Sequence, residues 1–344
     1  MNIPCIGLGT AMIKGETCLN VLERSLSLGY RMIDTALLYG NQKDIGQAIK
    51  SSSISRDQIW ITSKVSFFPD DSTSTWMYNS NNVKGDEFNS IDLCLNQLEL
   101  EYVDLMLVHN PCTSAIEYGS ATLPHFFEYF NYTGVSSFTI KPKILHTGEN
   151  MRELLQNIQH ENCRTKVNKE LSYEKRKQTW LNLVEAQKQG KCRYIGVSNY
   201  SAELLLEMKT YGTDILPAVN EIEFHPKFAN PHLLKVCNEM GIRVIGYGLG
   251  VSLLLEPSDS YHHQVIHEIS QNRNITPLQV ILKWAIQKNV IPIPRSSSVS
   301  HLQENFDASQ LPFEFNDEEM QKIDSLNENY PYYWDHVSSS LTCL

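Results

Sequence analysis

The chain has 344 residues, 42% of them hydrophobic, with 29 Lys and Arg against 39 Asp and Glu for a formal charge of −10. An acidic, ordinarily hydrophobic composition excludes a disordered chain and argues against coating nucleic acid or an anionic lipid surface, so neither nucleic acid nor membrane is expected as a partner. No run approaches the roughly 20 apolar residues that span a bilayer.

The opening MNIPCIGLGTAMIKGE lacks the basic-then-apolar pattern of an export signal. The eight cysteines form no CxxC pair and read as reduced thiols. The expected location is the cytoplasm.

Eight strand candidates follow in chain order: 5–10, 31–36, 59–65, 103–109, 193–199, 218–224, 243–249 and 289–294. Several are apolar on both faces, as strands of a buried parallel sheet should be. Amphipathic helices lie between them. Leu19, Leu22 and Leu26 repeat at helical spacing, as do Ile91, Leu95 and Leu98, and Leu233, Cys237 and Met240. Ser201 and Thr276-Pro277 are start signals, and Gly29, Gly190, Gly212 and Gly241 are stop signals. Unbroken βα alternation predicts an α/β fold, a single-domain (β/α)8 TIM barrel over 1–344. The alternative is an open doubly wound sheet. Its usual GxGxxG turn is incomplete in GLGTAM (7–12), which lacks the third glycine.

A barrel of this kind needs about 250 residues, leaving roughly 90 over. They fall in a longer loop at 66–85, an insertion at 112–173 and a C-terminal tail at 327–344. Both insertions follow strands, which in a barrel places them on the active-site face as a lid or wall. The 112–173 insertion includes a helix-like piece, ENMRELLQNIQHEN.

In a barrel the C-terminal ends of the strands converge. Read in order, those ends present Asp34, Lys64 and His109, with Tyr39 in the loop after the second strand. A phenol titrates near 10 and needs help to give up a proton at neutral pH. A neighbouring ammonium lowers that value, and a carboxylate keeps the ammonium charged in a dry pocket. So Asp34 is expected to hold Lys64, Lys64 to tune Tyr39, and Tyr39 to protonate an oxyanion that His109 orients. No nucleophile is in view, and no side chain supplies a hydride. A nicotinamide cofactor is therefore implied.

The segments GYRMIDTALLYGNQKDIG, ITSKV, LMLVHNP, GKCRYIGVSNY, VNEIEFHP, VIGYGLG and VIPIPRSSSVSHLQENF resemble the successive signatures of the aldo-keto reductases. The resemblance covers nearly the whole chain apart from the two insertions. It implies an NADP(H)-dependent reductase of small-molecule carbonyls, with NAD(H) the less favoured cofactor, acting as a monomer without a metal. Asp34, Tyr39, Lys64 and His109 then correspond to the family's catalytic tetrad. Ser198 and Asn199 match the contacts to the nicotinamide carboxamide, and Tyr247 the ring beneath the nicotinamide. Gly9 and Thr10 match the nearby backbone lining. Arg295 and Ser296 match the contact to the 2′-phosphate, and Glu304 and Asn305 the contacts to adenine.

Several positions depart from the family pattern. Glu221 stands where a carboxamide-binding Gln is usual, and its carboxylate is expected to favour the positively charged, oxidised ring. His301 replaces a second arginine at the 2′-phosphate. Ala11 and Asn110 replace two tryptophans of the substrate pocket, which implies a roomier and more polar site. The hairpin that often plugs the barrel bottom is largely missing before the first strand. The competing reading is a non-catalytic or weakly catalytic NADP(H)-binding regulatory protein on the same barrel. His263 and His267, with His262 beside them, read as a solvated helix face rather than a zinc site. Asn131 and Asn274 match the glycosylation pattern without an export signal, and Cys112 reads as an inert thiol.

Overall fold

The computed structural model describes residues 1–65, 87–111 and 169–332. Its strands are β1 (Leu8–Gly9), β2 (Met32–Asp34), β3 (Trp60–Val65), β4 (Val103–Val108), β5 (Cys192–Ser198), β6 (Val219–Glu223), β7 (Arg243–Tyr247) and β8 (Val290–Pro292). All pair in parallel and in sequence order. Every strand candidate falls on one of the eight, within a few residues at each end. The order never reverses, which removes the doubly wound alternative. Gly7 N donates to Pro292 O at 2.9 Å and Gly9 N to Pro294 O at 3.1 Å, so the chain around β1 also meets the chain around β8.

The helices among the described residues are α1 (Gly15–Leu28), α2 (Gln42–Ser51), α3 (Glu87–Leu98), α4 (Lys169–Lys188), α5 (Ala202–Glu207), α6 (Pro231–Glu239), α7 (Val251–Leu255), α8 (Tyr261–Arg273), α9 (Pro277–Gln287), α10 (Val299–Ala308) and α11 (Asp317–Asp324). The start signals act as expected. Ser201 Oγ accepts from Leu204 N at 3.4 Å, and Thr276 and Gln279 form a reciprocal capping box. Gly29 ends α1 at φ +111°, with Tyr30 N reaching back to Ser25 O at 3.0 Å. A Cβ there would lie 2.8 Å from the Phe306 ring, so the same glycine lets α1 approach α10.

Two apolar layers follow from the strand period of two. Met32, Trp60, Leu105, Leu107, Val219, Ile245, Ile291 and Ile293 form a cluster inside the sheet. Met106 and Val108, alternating with them on β4, face the helices in the larger core, which also takes in Val103. On α1 the buried face is Cys18, Val21, Leu22, Ser25 and Leu26, one step round from the leucine repeat.

The last residues of the 112–173 segment, 169–173, lie within α4. One expectation changes. His262 and His263 are not a solvated face: they are 4% and 8% exposed, packed at the start of α8, and only His267 faces outward. The described part of the tail, 327–332, is tied to the rest of the chain. Asn327 Oδ1 accepts from Ala229 N, and Glu328 N and Tyr330 N both donate to Lys227 O. Loop 66–85, positions 112–168, the tail beyond 332, and with them Cys112 and Asn131, lie outside the described residues. Among the described residues, no helix is long and apolar enough to cross a membrane.

Candidate active site

The strand ends bring four chemically distinct groups together. Asp34 is the last residue of β2, Lys64 the next to last of β3, and His109 the first after β4. Tyr39 ends a single 3-10 turn, Leu37–Tyr39, closed by Gly40 at φ +62°. Lys64 Nζ lies 2.6 Å from Asp34 Oδ1 and 2.7 Å from Oδ2, and donates to Thr35 O at 3.1 Å. The same ammonium is 5.2 Å from the centre of the Tyr39 ring. The Tyr39 and His109 rings meet edge to face, 5.7 Å between centroids. Glu221 on β6 completes the group from another part of the sheet: its Oε1 is 3.2 Å from Lys64 Nζ. Asp34, Lys64 and Glu221 are all buried.

Burial sets the charges. It works against the Lys64 ammonium, but Asp34 and Glu221 outweigh it and Lys64 stays protonated. Burial raises Asp34 against the pull of Lys64. Burial, then the charge of Asp34, raises Glu221 far above the carboxylate range. Its burial and the neighbouring Asp34 thus work against the charged carboxylate expected beside an oxidised ring. Burial and the nearby Lys64 push His109 down to about 3, so its imidazole is neutral. Tyr39 corrects the pairwise pKa argument. Lys64 does pull the phenol down, but burial together with Asp34 and Glu221 pulls harder, and the net shift is upward.

The remaining predicted positions divide into two groups. Around the tetrad, Ser198 Oγ donates to Glu221 O at 2.9 Å, and Asn199 Nδ2 donates to His109 O at 3.0 Å. Tyr247, at the end of β7 and half-buried, donates its hydroxyl to Asn199 Oδ1 at 2.7 Å. Asn199 takes φ +64° to make both bonds. Gly9 ends β1, where a Cβ would lie 2.8 Å from Ile293 O. Thr10 Oγ1 donates to Asp34 O at 2.7 Å. Ala11 and Asn110 are half-buried in the chain after β1 and β4.

The second group lies between β8 and α10. Arg295 is exposed and Ser296 half-buried in the connection before α10, and His301 is exposed in its first turn. Glu304 is not free: its carboxylate accepts from Thr276 Oγ1. Asn305 is 1% exposed and its Oδ1 has no protein partner. Glu221 Oε2 is likewise buried without a partner. Unpartnered buried polar atoms are costly, and one at each end of the predicted cofactor track fits a ligand that hydrogen-bonds to both.

Two positioning residues escaped the sequence reading. Asn41, buried, donates Nδ2 to Thr10 O and Ile13 O and accepts from Thr35 Oγ1, tying the β1 and β2 ends together. Asn220, also buried, donates to Tyr200 O at 2.9 Å and so holds the turn after Asn199. Their place beside Tyr39-Gly40 and Glu221 was the available signal. Among the described residues, no three His, Cys, Asp or Glu side chains gather as metal ligands would.

Comparison with known proteins agrees with this geometry. Residues 5–328 match the Aldo/keto reductase family. The NADPH-dependent D-xylose reductase of Meyerozyma guilliermondii is 26% identical over 97% of this chain and 96% of its own. The glyoxal reductase of Bacillus subtilis is 27% identical over 96% of this chain and 91% of its own. The crystal structure of the Bombyx mori aldo-keto reductase in complex with NADP aligns at a TM-score of 0.68 and 20% identity, covering 97% of this chain and 92% of that one. With the eight parallel strands and the strand-end tetrad, these likenesses show that the chain belongs to the aldo/keto reductase family.

Proposed function

We propose that this protein reduces an aldehyde or ketone to an alcohol with NADPH, Tyr39 giving the proton. The observation that carries the reading is the buried Asp34–Lys64 pair under Tyr39, with a neutral His109 edge-on to the same ring. NADPH, held by the residues named below, would supply the hydride taken up at the carbonyl carbon. As charge builds on the carbonyl oxygen, Tyr39 delivers its proton there, and the fixed Lys64 ammonium stabilises the phenolate left behind. A phenol held above its ordinary value keeps its proton in the resting site. The neutral His109 has one N–H to donate to the substrate oxygen.

The unpartnered Glu221 Oε2 and Asn305 Oδ1 support an extended nucleotide between them. Ser198, Asn199 and Glu221 would face the nicotinamide amide and Tyr247 its ring, with Gly9 and Thr10 alongside. Arg295, Ser296 and His301 would meet the 2′-phosphate at the start of α10, where backbone N–H groups favour an anion. Asn305 would accept from the adenine amine, with Glu304 held close by Thr276. Ala11 and Asn110 would line the substrate pocket. The D-xylose and glyoxal reductases among the relatives support a small polar carbonyl compound as substrate. The β1–β8 hydrogen bonds support one closed barrel domain bearing the two insertions and the tail. We read it as a cytoplasmic monomer.

The assembled tetrad favours turnover over the regulatory alternative. Loss of NADPH absorbance with a panel of aldehydes and ketones tests this. Tyr39→Phe should lower kcat by about 100-fold or more, the usual worth of a positioned general acid. Equal turnover in wild type and variant would refute the assignment of Tyr39.

A further inference from the structure

We propose that Glu221 is a second counter-ion for Lys64, a positioning residue that can hold the ammonium in place when Asp34 cannot. This rests on the reading that Lys64 acts on Tyr39, and it adds a member to that machinery.

The argument is one of geometry and charge count. Lys64 has three N–H donors. Asp34 and the Thr35 carbonyl take them on one side, at 2.6 to 3.1 Å. Glu221 approaches from β6, with Oε1 3.2 Å from the same nitrogen. The Lys64 side chain is fully buried, and the two carboxyl side chains are each 3% exposed. A buried ammonium needs one compensating charge, and here two carboxyls surround it. One is therefore surplus and keeps its proton. Burial and Asp34 make Glu221 that one. Its other oxygen, Oε2, is buried and bonded to nothing in the protein.

A glutamine at 221 could offer Lys64 an oxygen dipole but no charge. Glutamic acid can do more. When Asp34 is neutralised, the Glu221 carboxyl loses its proton to solvent, and the Glu221 carboxylate and Lys64 ammonium remain as a neutral pair. When Glu221 is neutralised, the Asp34–Lys64 pair remains. When both are neutral, the buried ammonium has no partner charge and its proton leaves. The amine left behind cannot stabilise a phenolate on Tyr39.

Tyr39 is the reporter. Burial does most to hold its proton on; among the groups around it Lys64 opposes that, Asp34 and Glu221 add to it when ionised, and His109, edge-on to the ring, is neutral. Reduction requires a protonated Tyr39, so its rate falls as pH rises through the phenol's titration. Glu221→Gln removes a carboxyl that would otherwise ionise beside Tyr39 as pH rises, and so should move that alkaline limb to lower pH.

The test is steady-state NADPH oxidation by wild type, Asp34→Asn, Glu221→Gln, the double variant and Tyr39→Phe. Each runs across a pH series, with circular dichroism to confirm folding. Asp34→Asn should lose no more than about tenfold in kcat. The double variant should fall below the product of the single losses by about tenfold or more, a coupling of about 1.4 kcal/mol. Asp34→Asn should also gain an acid limb absent from wild type, because Lys64 then depends on an ionised Glu221. Glu221→Gln should show the shifted alkaline limb.

A folded Asp34→Asn as inactive as the double variant would overturn the proposal, as would single losses that simply multiply. If the double variant does not fold, the Asp34→Asn profile decides: a new acid limb supports the proposal, and a wild-type shape overturns it. A Tyr39→Phe enzyme with wild-type turnover would instead overturn the acid assignment, and this proposal with it.

Discussion

His109 shows how a buried site chooses the charge of its own groups. Burial and the fixed Lys64 ammonium hold the ring at about 3, so it is neutral wherever the enzyme would work. A neutral ring donates to a carbonyl oxygen without competing with Tyr39 as the acid. Any inflection in kcat/KM between pH 5 and 8 should therefore persist in His109→Gln, with the carbonyl KM raised. An inflection near 6.5 that vanished in the variant would mean a freely titrating imidazole. The tetrad itself was legible in the sequence because each member stands at a strand end, where a polar residue is out of keeping with its apolar neighbours. The sign of the net Tyr39 shift was not. Pairwise reasoning finds the Lys64 contribution, but the opposing burial depends on packing that no local pattern reveals. Glu221 was found as a departure from a family motif. Its contact with Lys64 joins β3 to β6 and depends on register across the sheet.

Strands and helices were more readable than the contacts between them. Apolar runs marked all eight strands, and Ser201 and Thr276 marked helix starts, because these signals are local in the chain. Asn41 and Asn220 were missed, since an asparagine near a turn is common and only the fold shows it bridging two strand ends. The α8 histidines were misread for a related reason: spacing gives a helix face but not what covers it. Gly46 is another such case. In an isolated helix, Gly to Ala would stabilise by about 1 kcal/mol. In α2, however, a Cβ at this position would lie 2.3 Å from Leu98 O at the end of α3. Backbone cannot yield as a flexible side chain can. Gly46→Ala should destabilise the protein by about 2 to 3 kcal/mol, the cost of overpacking, read as a lowered urea midpoint. An unchanged or raised midpoint would mean that α2 and α3 separate easily.

At the scale of the whole molecule, the described tail residues are tied down beside a cluster of buried bases. Tyr332 N donates to Glu223 Oε1 at 2.6 Å, and Tyr332 Oη to Glu256 Oε1 at 2.5 Å. Lys227 pairs with Glu256 and Glu328. His262 lies close by, and both of its ring nitrogens lack a partner. Burial, then His263, with smaller contributions from Lys227 and His225, pushes its pKa down to about 4 despite the opposing charge of Glu256. In the unfolded chain the same ring titrates near 6.5. Below that value the unfolded state binds a proton that the folded state refuses, so stability falls as pH falls from about 6.5 toward 4 and then levels. At pH 5 the loss from this one residue should be about 2 kcal/mol. Glu256 is held below its ordinary value by Lys227 and Tyr332 against its burial, and so loses its contribution only at more acid pH. Urea unfolding at pH 7 and pH 5 separates the two. His262→Met keeps an apolar filler and removes the titration, so its stability should drop less than wild type between those pH values, by about 2 kcal/mol. An equal drop in both proteins would place the acid sensitivity outside this junction.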